Sequence, residues 1–122
     1  MAHQEHDPID TADQERIAAL TAEKERLQRE REVNDLRHVM SSKQGRRFVY
    51  RLLGGMGLYR LSFNAESDRL TAFNEGARNQ GLMLLSEITE ACPDRYAEML
   101  AEQKEAKERD DNRIADARNR RR

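Results

Sequence analysis

The residues best suited to chemistry are few. Cys92 is the only cysteine, and His3, His6 and His38 are the only histidines. A thiol nucleophile needs an imidazole or another base beside it. His38 lies on a polar helical stretch three residues from Asp35 and far from Cys92 in sequence, so no spacing joins the two into a Cys/His pair. His3 and His6 fall in the acidic, polar start MAHQEHDPID and read as solvent-exposed rather than as ligands. With one cysteine there is no intrachain disulfide, no CxxC and no Cys/His cluster for structural zinc, and a reducing compartment is expected.

The densest polar group is Asn74, Glu75, Arg78 and Asn79. Glu75 and Arg78 are three apart, a spacing that pairs charges on a helix surface, and the asparagines can hydrogen-bond nearby backbone. One reading is a surface network that holds the neighbouring glycine turn or Ser62. The sharper reading is a partner-binding surface. One carboxylate with no second acid or histidine in register gives general acid-base chemistry little to work with, so no catalytic residue is assigned. The glycine-rich GGMG stretch, Gly54 to Gly57, lacks the GK[ST] ending of a phosphate-cradling loop and no strand precedes it; it reads as a helix stop.

Basic side chains are concentrated at Lys43, Arg46, Arg47, Arg51 and Arg60. Arg47 and Arg51 are four apart and Tyr50 lies between them, a combination that phosphate contact with base stacking would use. The same residues also fit a helix face that pairs with acidic helices of this chain or with an acidic partner. Arg46, Arg47, Tyr50 and Arg51 are therefore the candidate contacts for nucleic acid or an acidic partner. The arginine-rich end, Arg118 and Arg120 to Arg122, would add only nonspecific phosphate contacts.

The elements that would position these groups are helical. Residues 1–10 read as a disordered start, with Thr11 and Gln14 as a capping box for a long polar helix over 11–40. Ile17, Leu20 and Leu27 have heptad spacing, but Lys24, Arg31 and Asn34 occupy the next seam positions, so the pattern suits a helix lying along a partner better than a freestanding zipper. In the expected compact core over 41–100, Phe48, Val49, Leu52, Leu53 and Met56 share one face of a second helix that ends at Gly54, Gly55 and Gly57. Asn64 or Ser67 can cap a third helix whose apolar face carries Leu70, Phe73, Ala77, Gly81, Leu84, Leu85 and Ile88. Gly76 and Gly81 suggest close packing against the second helix. Pro93 suits the first position of a fourth helix docked by Tyr96, Met99 and Leu100. Residues 101–122 read as an exposed charged helix fraying into a basic tail. The fold class expected is all-α, a small helical hairpin or bundle core with long polar N- and C-terminal helices.

Charged residues make up 37% of the 122 residues, aromatics only 5%, and the mean hydropathy is strongly negative, so the apolar material allows one small core. The net charge of −1 conceals a pattern: residues 41–63 carry five basic and no acidic side chains, while residues 1–40 carry six basic and ten acidic. No run approaches the roughly 20 apolar residues that span a bilayer, and the start lacks the order of a signal peptide.

Residues 45–100 carry a combination of short motifs: Gly45-Arg46, Phe48-Val49, Leu52-Leu53, Gly57, Ser62-Phe63, Phe73-Asn74-Glu75-Gly76, Arg78-Asn79, Gly81-Leu82, Cys92-Pro93, Tyr96 and Met99. In these the chain resembles a family of small tailed-bacteriophage proteins named after the nineteenth protein of a Bordetella phage. The resemblance implies a virion or assembly component and carries over no reaction, cofactor or catalytic residue. The expected partners are other phage structural proteins of the portal, tail or internal core, together with self-association into a homo-oligomer and nonspecific DNA contacts. The expected location is the virion, and the host cytoplasm during assembly. The leading expectation is a non-enzymatic particle or assembly protein working through helix-mediated contacts; the alternative is a DNA-binding accessory in genome packaging or ejection.

Overall fold

The computed structural model describes residues 8–121. Among the described residues the fold is all-α, with four helices and no strand: α1 Pro8–Met40, α2 Lys43–Gly55, α3 Asp68–Ala91 and α4 Pro93–Arg120. The chain divides into two units, residues 1–34 and 35–122, with the boundary inside α1.

The first unit holds most of α1. Its helix begins at Pro8, whose fixed φ suits the first helical position, so Thr11 lies inside the helix and the capping box expected there does not form. Residues 1–7, including His3 and His6, lie outside the described residues. Between Asp10 and Asn34 only Thr11 and Val33 are even half-buried, and Ile17, Leu20 and Leu27 stand exposed. Side-chain pairs one turn apart support this polar helix: Arg26 bridges Glu23 at 2.6 Å and Glu30 at 2.9 Å, and Arg16 meets Asp13 at 3.1 Å.

The second unit has one core, built from Met40, Val49, Leu53, Leu58, Ile88 and Met99, with Leu36, Leu84, Leu85 and Tyr96 packed around it. Every helix contributes, α1 through its last turns. Ser42 starts α2 by accepting the Gly45 amide at 3.0 Å, and Ser67 starts α3 by accepting the Leu70 amide at 3.2 Å. Between the two candidate caps of α3, therefore, Ser67 takes the role. The end of α2 is a Schellman turn: Leu58 N–H donates to Leu53 O, Gly57 N–H donates to Gly54 O, and Gly57 takes a left-handed φ of 80°. Leu58 and Leu53, the apolar pair that accompanies such a turn, both sit in the core. Pro93 opens α4, and Cys92 joins it to α3 with its amide donating to Ile88 O at 2.8 Å. Arg37 Nε donates to Ala91 O at 2.9 Å, so an α1 side chain satisfies a carbonyl at the end of α3 that the helix itself cannot.

Several sequence expectations change. The buried line of α2 is Arg46, Val49 and Leu53, so Phe48 and Leu52 of the expected apolar face are exposed. On α3 the buried residues are Gly81, Ile88 and Ala91, while Leu70 and Phe73 are exposed. Length accounts for this: 13 residues make α2 about 20 Å long, against about 36 Å for the 24 residues of α3, so α2 cannot cover α3 from end to end. Gly81 does meet the end of α2, where an added Cβ would lie 3.3 Å from Met56 Cβ, but Gly76 faces open space. Finally, α4 runs unbroken to Arg120 instead of fraying; it docks through Tyr96 and Met99, while Leu100 is exposed.

Candidate functional site

Residues 56–67 connect α2 to α3; Leu58 anchors the connection in the core, and polar ties hold the stretch that follows. Asn64 Oδ1 accepts the Glu66 amide at 2.9 Å, an Asx turn that leads into the Ser67 cap. Thr71 Oγ1, on the first turn of α3, accepts the Asn64 amide at 2.8 Å. One turn further, Asn74 Nδ2 donates to Ser62 O at 3.2 Å. At the other end Arg60 donates to Gly54 O at 3.2 Å, satisfying a carbonyl in the last turn of α2.

These ties fix the backbone on either side of Leu61 and Phe63 while leaving both side chains in solvent. Leu61 is 92% exposed and Phe63 72%. On the adjoining half of α3, Phe73 is also 72% exposed and Leu70 about half. Between loop and helix runs a shallow groove lined by Met56, Arg60, Leu61, Phe73, Asn74 and Ala77. Scattered exposed apolar side chains are ordinary, whereas several large ones around one concavity mark a contact surface.

Of the four residues expected to form a partner surface, only Asn74 lines this groove. Its side chain also holds Ser62, as the network reading anticipates. Glu75, Arg78 and Asn79 are exposed on α3, and no ion pair among the described residues joins Glu75 to Arg78. Periodicity places Met56, Phe73 and Ala77 of the groove on apolar helix faces and says nothing of Leu61; the short length of α2 is the available signal that Phe73 has no cover.

The expected basic cluster separates into three environments, which corrects its reading as one surface. Arg46 is buried: Nε donates to Glu102 at 2.6 Å, NH1 to Met40 O at 3.0 Å, and NH2 pairs with Glu98 at 3.2 Å. It is the internal partner of acidic α4, because its position on the Val49/Leu53 line turns it inward. Tyr50 is half-buried and stacks on Tyr59 with ring centroids 5.5 Å apart, so it is not interleaved with the arginines. Arg47 and Arg51 remain exposed, and Arg51 lies over the Phe48 ring at 5.4 Å.

Titration behaviour follows these contacts. Burial, reinforced by the Tyr96 hydroxyl at 3.3 Å, holds the Tyr59 phenol above its ordinary range. The Arg95 hydrogen bond, with Arg46 nearby, holds Glu98 below the usual carboxylate value. Burial raises the Cys92 thiol against the opposing pull of Arg37 and Arg95. Among the described residues no three His, Cys, Asp or Glu side chains converge as a metal site, and no helix is long and apolar enough to cross a membrane. The arrangement offers shape, apolar area and fixed charge, which are the means of protein recognition.

No curated protein and no solved structure matches this chain. Residues 36–101 match the family described as Bbp19-like phage protein. The match covers just over half of the chain and takes in the end of α1, all of α2 and α3 and the docking turns of α4, including every residue of the core cluster. On that match the chain belongs to the family of Bbp19-like phage proteins.

Proposed function

We propose that this phage protein is a non-enzymatic component of the virion or of its assembly, in the head, portal or tail region or as an ejected internal protein. It works through helix-mediated contacts with other phage proteins. The observation that carries this reading is the groove beside the α2–α3 loop, which Leu61 and Phe73 line while exposed, with Phe63 exposed on the same loop, whose backbone is held by polar ties. Ordering a loop with its large apolar side chains outward is costly unless a partner covers them. The exposed apolar residues of the long polar α1 support the same reading.

Mass spectrometry of gradient-purified particles is the test. The chain is expected in a fixed ratio to the major structural proteins, and capsid–tail reconstruction should then locate it. Its absence from particles would remove the virion reading and leave a transient role during assembly.

A second reading, a DNA-binding accessory in packaging or ejection, draws on Lys43, Arg47, Arg51 and Arg60. No ion pair among the described residues engages these cations, and residues 41–63 carry no acidic side chain. Binding to a duplex of arbitrary sequence should then weaken steeply with salt and be lost on charge reversal at Arg47 and Arg51. No detectable binding at low salt would dispose of it.

A further inference from the structure

We infer that α1 pairs antiparallel with α1 of a second copy of this chain over residues 10–34, joining two copies about a twofold axis. The inference rests on reading the exposed apolar side chains of α1 as a protein-contact surface, and it names what covers them. Ile17, Leu20 and Leu27 are exposed at 60%, 64% and 40%, on a stretch of about 37 Å where only Thr11 and Val33 are even half-buried. Leu20 and Leu27 border a shallow hollow completed by Glu23, Lys24, Gln28 and Arg31, the kind of hole into which a facing helix inserts a side chain.

Charge along the seam selects both the occupant and its direction. Continued at heptad spacing, the line of Ile17, Leu20 and Leu27 takes in Asp13, Lys24 and Arg31. A parallel pair would set each of these charges against itself, Asp13 on Asp13, Lys24 on Lys24 and Arg31 on Arg31. One antiparallel register, centred between Leu20 and Lys24, satisfies the whole line instead. In it Ile17 meets Leu27 of the second copy, Leu20 meets its Lys24, and Asp13 meets its Arg31; the twofold axis repeats each contact. The Lys24 stem lies along the facing leucine while its ammonium reaches solvent.

The flank agrees. Arg16 faces Glu30 of the second copy, an attractive pair made twice. Glu23 meets Glu23 near the axis, where Arg26 bridges it at 2.6 Å within each chain. The positions that defeat a parallel zipper are therefore the ones that an antiparallel copy of the same helix complements. Because one face serves both copies, the contact is isologous and closes at two.

The test uses the full chain at up to about 0.1 mM, where weak contacts are populated, read by light scattering and native mass spectrometry. The parent chain should be dimeric at the top of that range and dissociate on dilution. Ile17→Glu with Leu27→Glu sets carboxylate against carboxylate in the layers that these two residues share, and should give a monomer that circular dichroism shows to be as helical as the parent. Asp13→Arg brings two arginines together at each end of the contact and Arg31→Asp two aspartates, so each alone should weaken the dimer about tenfold. The chain carrying both reversals should dimerise like the parent. A parallel pair, in which position 13 faces position 13, would be little changed by either single reversal. A parent chain monomeric throughout that range, a dimer that survives Ile17→Glu with Leu27→Glu, or single reversals without effect would each overturn the inference. A monomer that nonetheless appears in particles would do so while leaving the assembly reading standing.

Discussion

Arg46 Nε donates to Glu102 Oε1 at 2.6 Å across 56 residues of sequence, and this ion pair ties α2 to α4 at the edge of the core. Glu102 is only 15% exposed, and the same guanidinium also reaches Met40 O at the end of α1. Three helices therefore meet on one side chain, whose planar fork serves several acceptors in a way that a lysine could not.

Removing that side chain leaves a shielded carboxylate without its cation. Arg46→Ala should destabilise the fold by about 3–5 kcal/mol, the range for breaking a buried pair from one side. Arg46→Met combined with Glu102→Leu should recover most of the loss, because no charge is then stranded. Urea denaturation of the single and double variants measures both. A double variant as unstable as Arg46→Ala would show that packing geometry, and not the stranded charge, sets the cost.

The glycines give a test of packing with opposite signs. Gly76→Ala should stabilise α3 by about 0.5–1 kcal/mol, since the position is helical and nothing lies near the added methyl group. At Gly81 even a Cβ comes within 3.3 Å of Met56 Cβ, so Gly81→Val should cost about 1–3 kcal/mol through overpacking. At Gly45 an added methyl would overlap the Val39 carbonyl, which is backbone and cannot swing aside, so Gly45→Ala should be the most damaging of the three. Thermal unfolding of the variants would rank them.

Ile88 and Phe73 lie on the same helix and differ in what covers them. Ile88 is fully buried, and Ile88→Ala should cost about 2–5 kcal/mol. Phe73→Ser should leave stability within about 0.5 kcal/mol of the parent, as surface changes usually do. A large loss at Phe73 would mean that it packs internally and does not belong to a docking surface.

The same pair shows how far the fold was legible in the sequence. Periodicity located α2, α3 and α4, and local chemistry identified the glycine stop, the Ser67 cap and Pro93, because those signals act within a few residues. Periodicity finds an apolar stripe without saying what covers it. Phe73 and Ile88 share the expected stripe of α3, and only the relative lengths of α2 and α3 separate surface from core. Arg46 pairs with an acidic helix of the chain, one of the readings its sequence context allows, but its depth was not legible. Its charge suggests solvent, and its inward position depends on Glu102, which belongs to a different helix 56 residues away.

Acid should weaken the ion pairs that Glu98 makes with Arg95 within α4 and with Arg46 of α2. The folded state holds Glu98 below the usual carboxylate value, chiefly through Arg95 and with help from Arg46. Its contribution is therefore present above the unfolded carboxylate pKa, near about 4.3, and is lost as pH falls through the lower folded value. Glu98→Gln should remove that contribution at neutral pH and flatten the acid limb of a stability profile, so that variant and parent converge in acid. Glu98 is well exposed, so added salt should shrink the difference.

At the α3–α4 joint, Cys92 should be a slow thiol. Burial raises its pKa, so the folded state holds the thiol proton more tightly than the unfolded chain does. Stability from this source is present below the unfolded thiol pKa of about 8.5 and is lost as pH rises through the raised folded value. Alkylation at neutral pH should be slower than for an unstructured cysteine peptide and should recover that rate in urea. Arg37 and Arg95 both pull the thiol the other way, so Arg37→Gln or Arg95→Gln should shift the rate–pH profile to still higher pH. Arg37→Gln should in addition lower stability, because Ala91 O loses its donor, and this separates its structural effect from that of Arg95. A folded-state rate equal to that of the free peptide would mean that the joint opens faster than the reagent reacts.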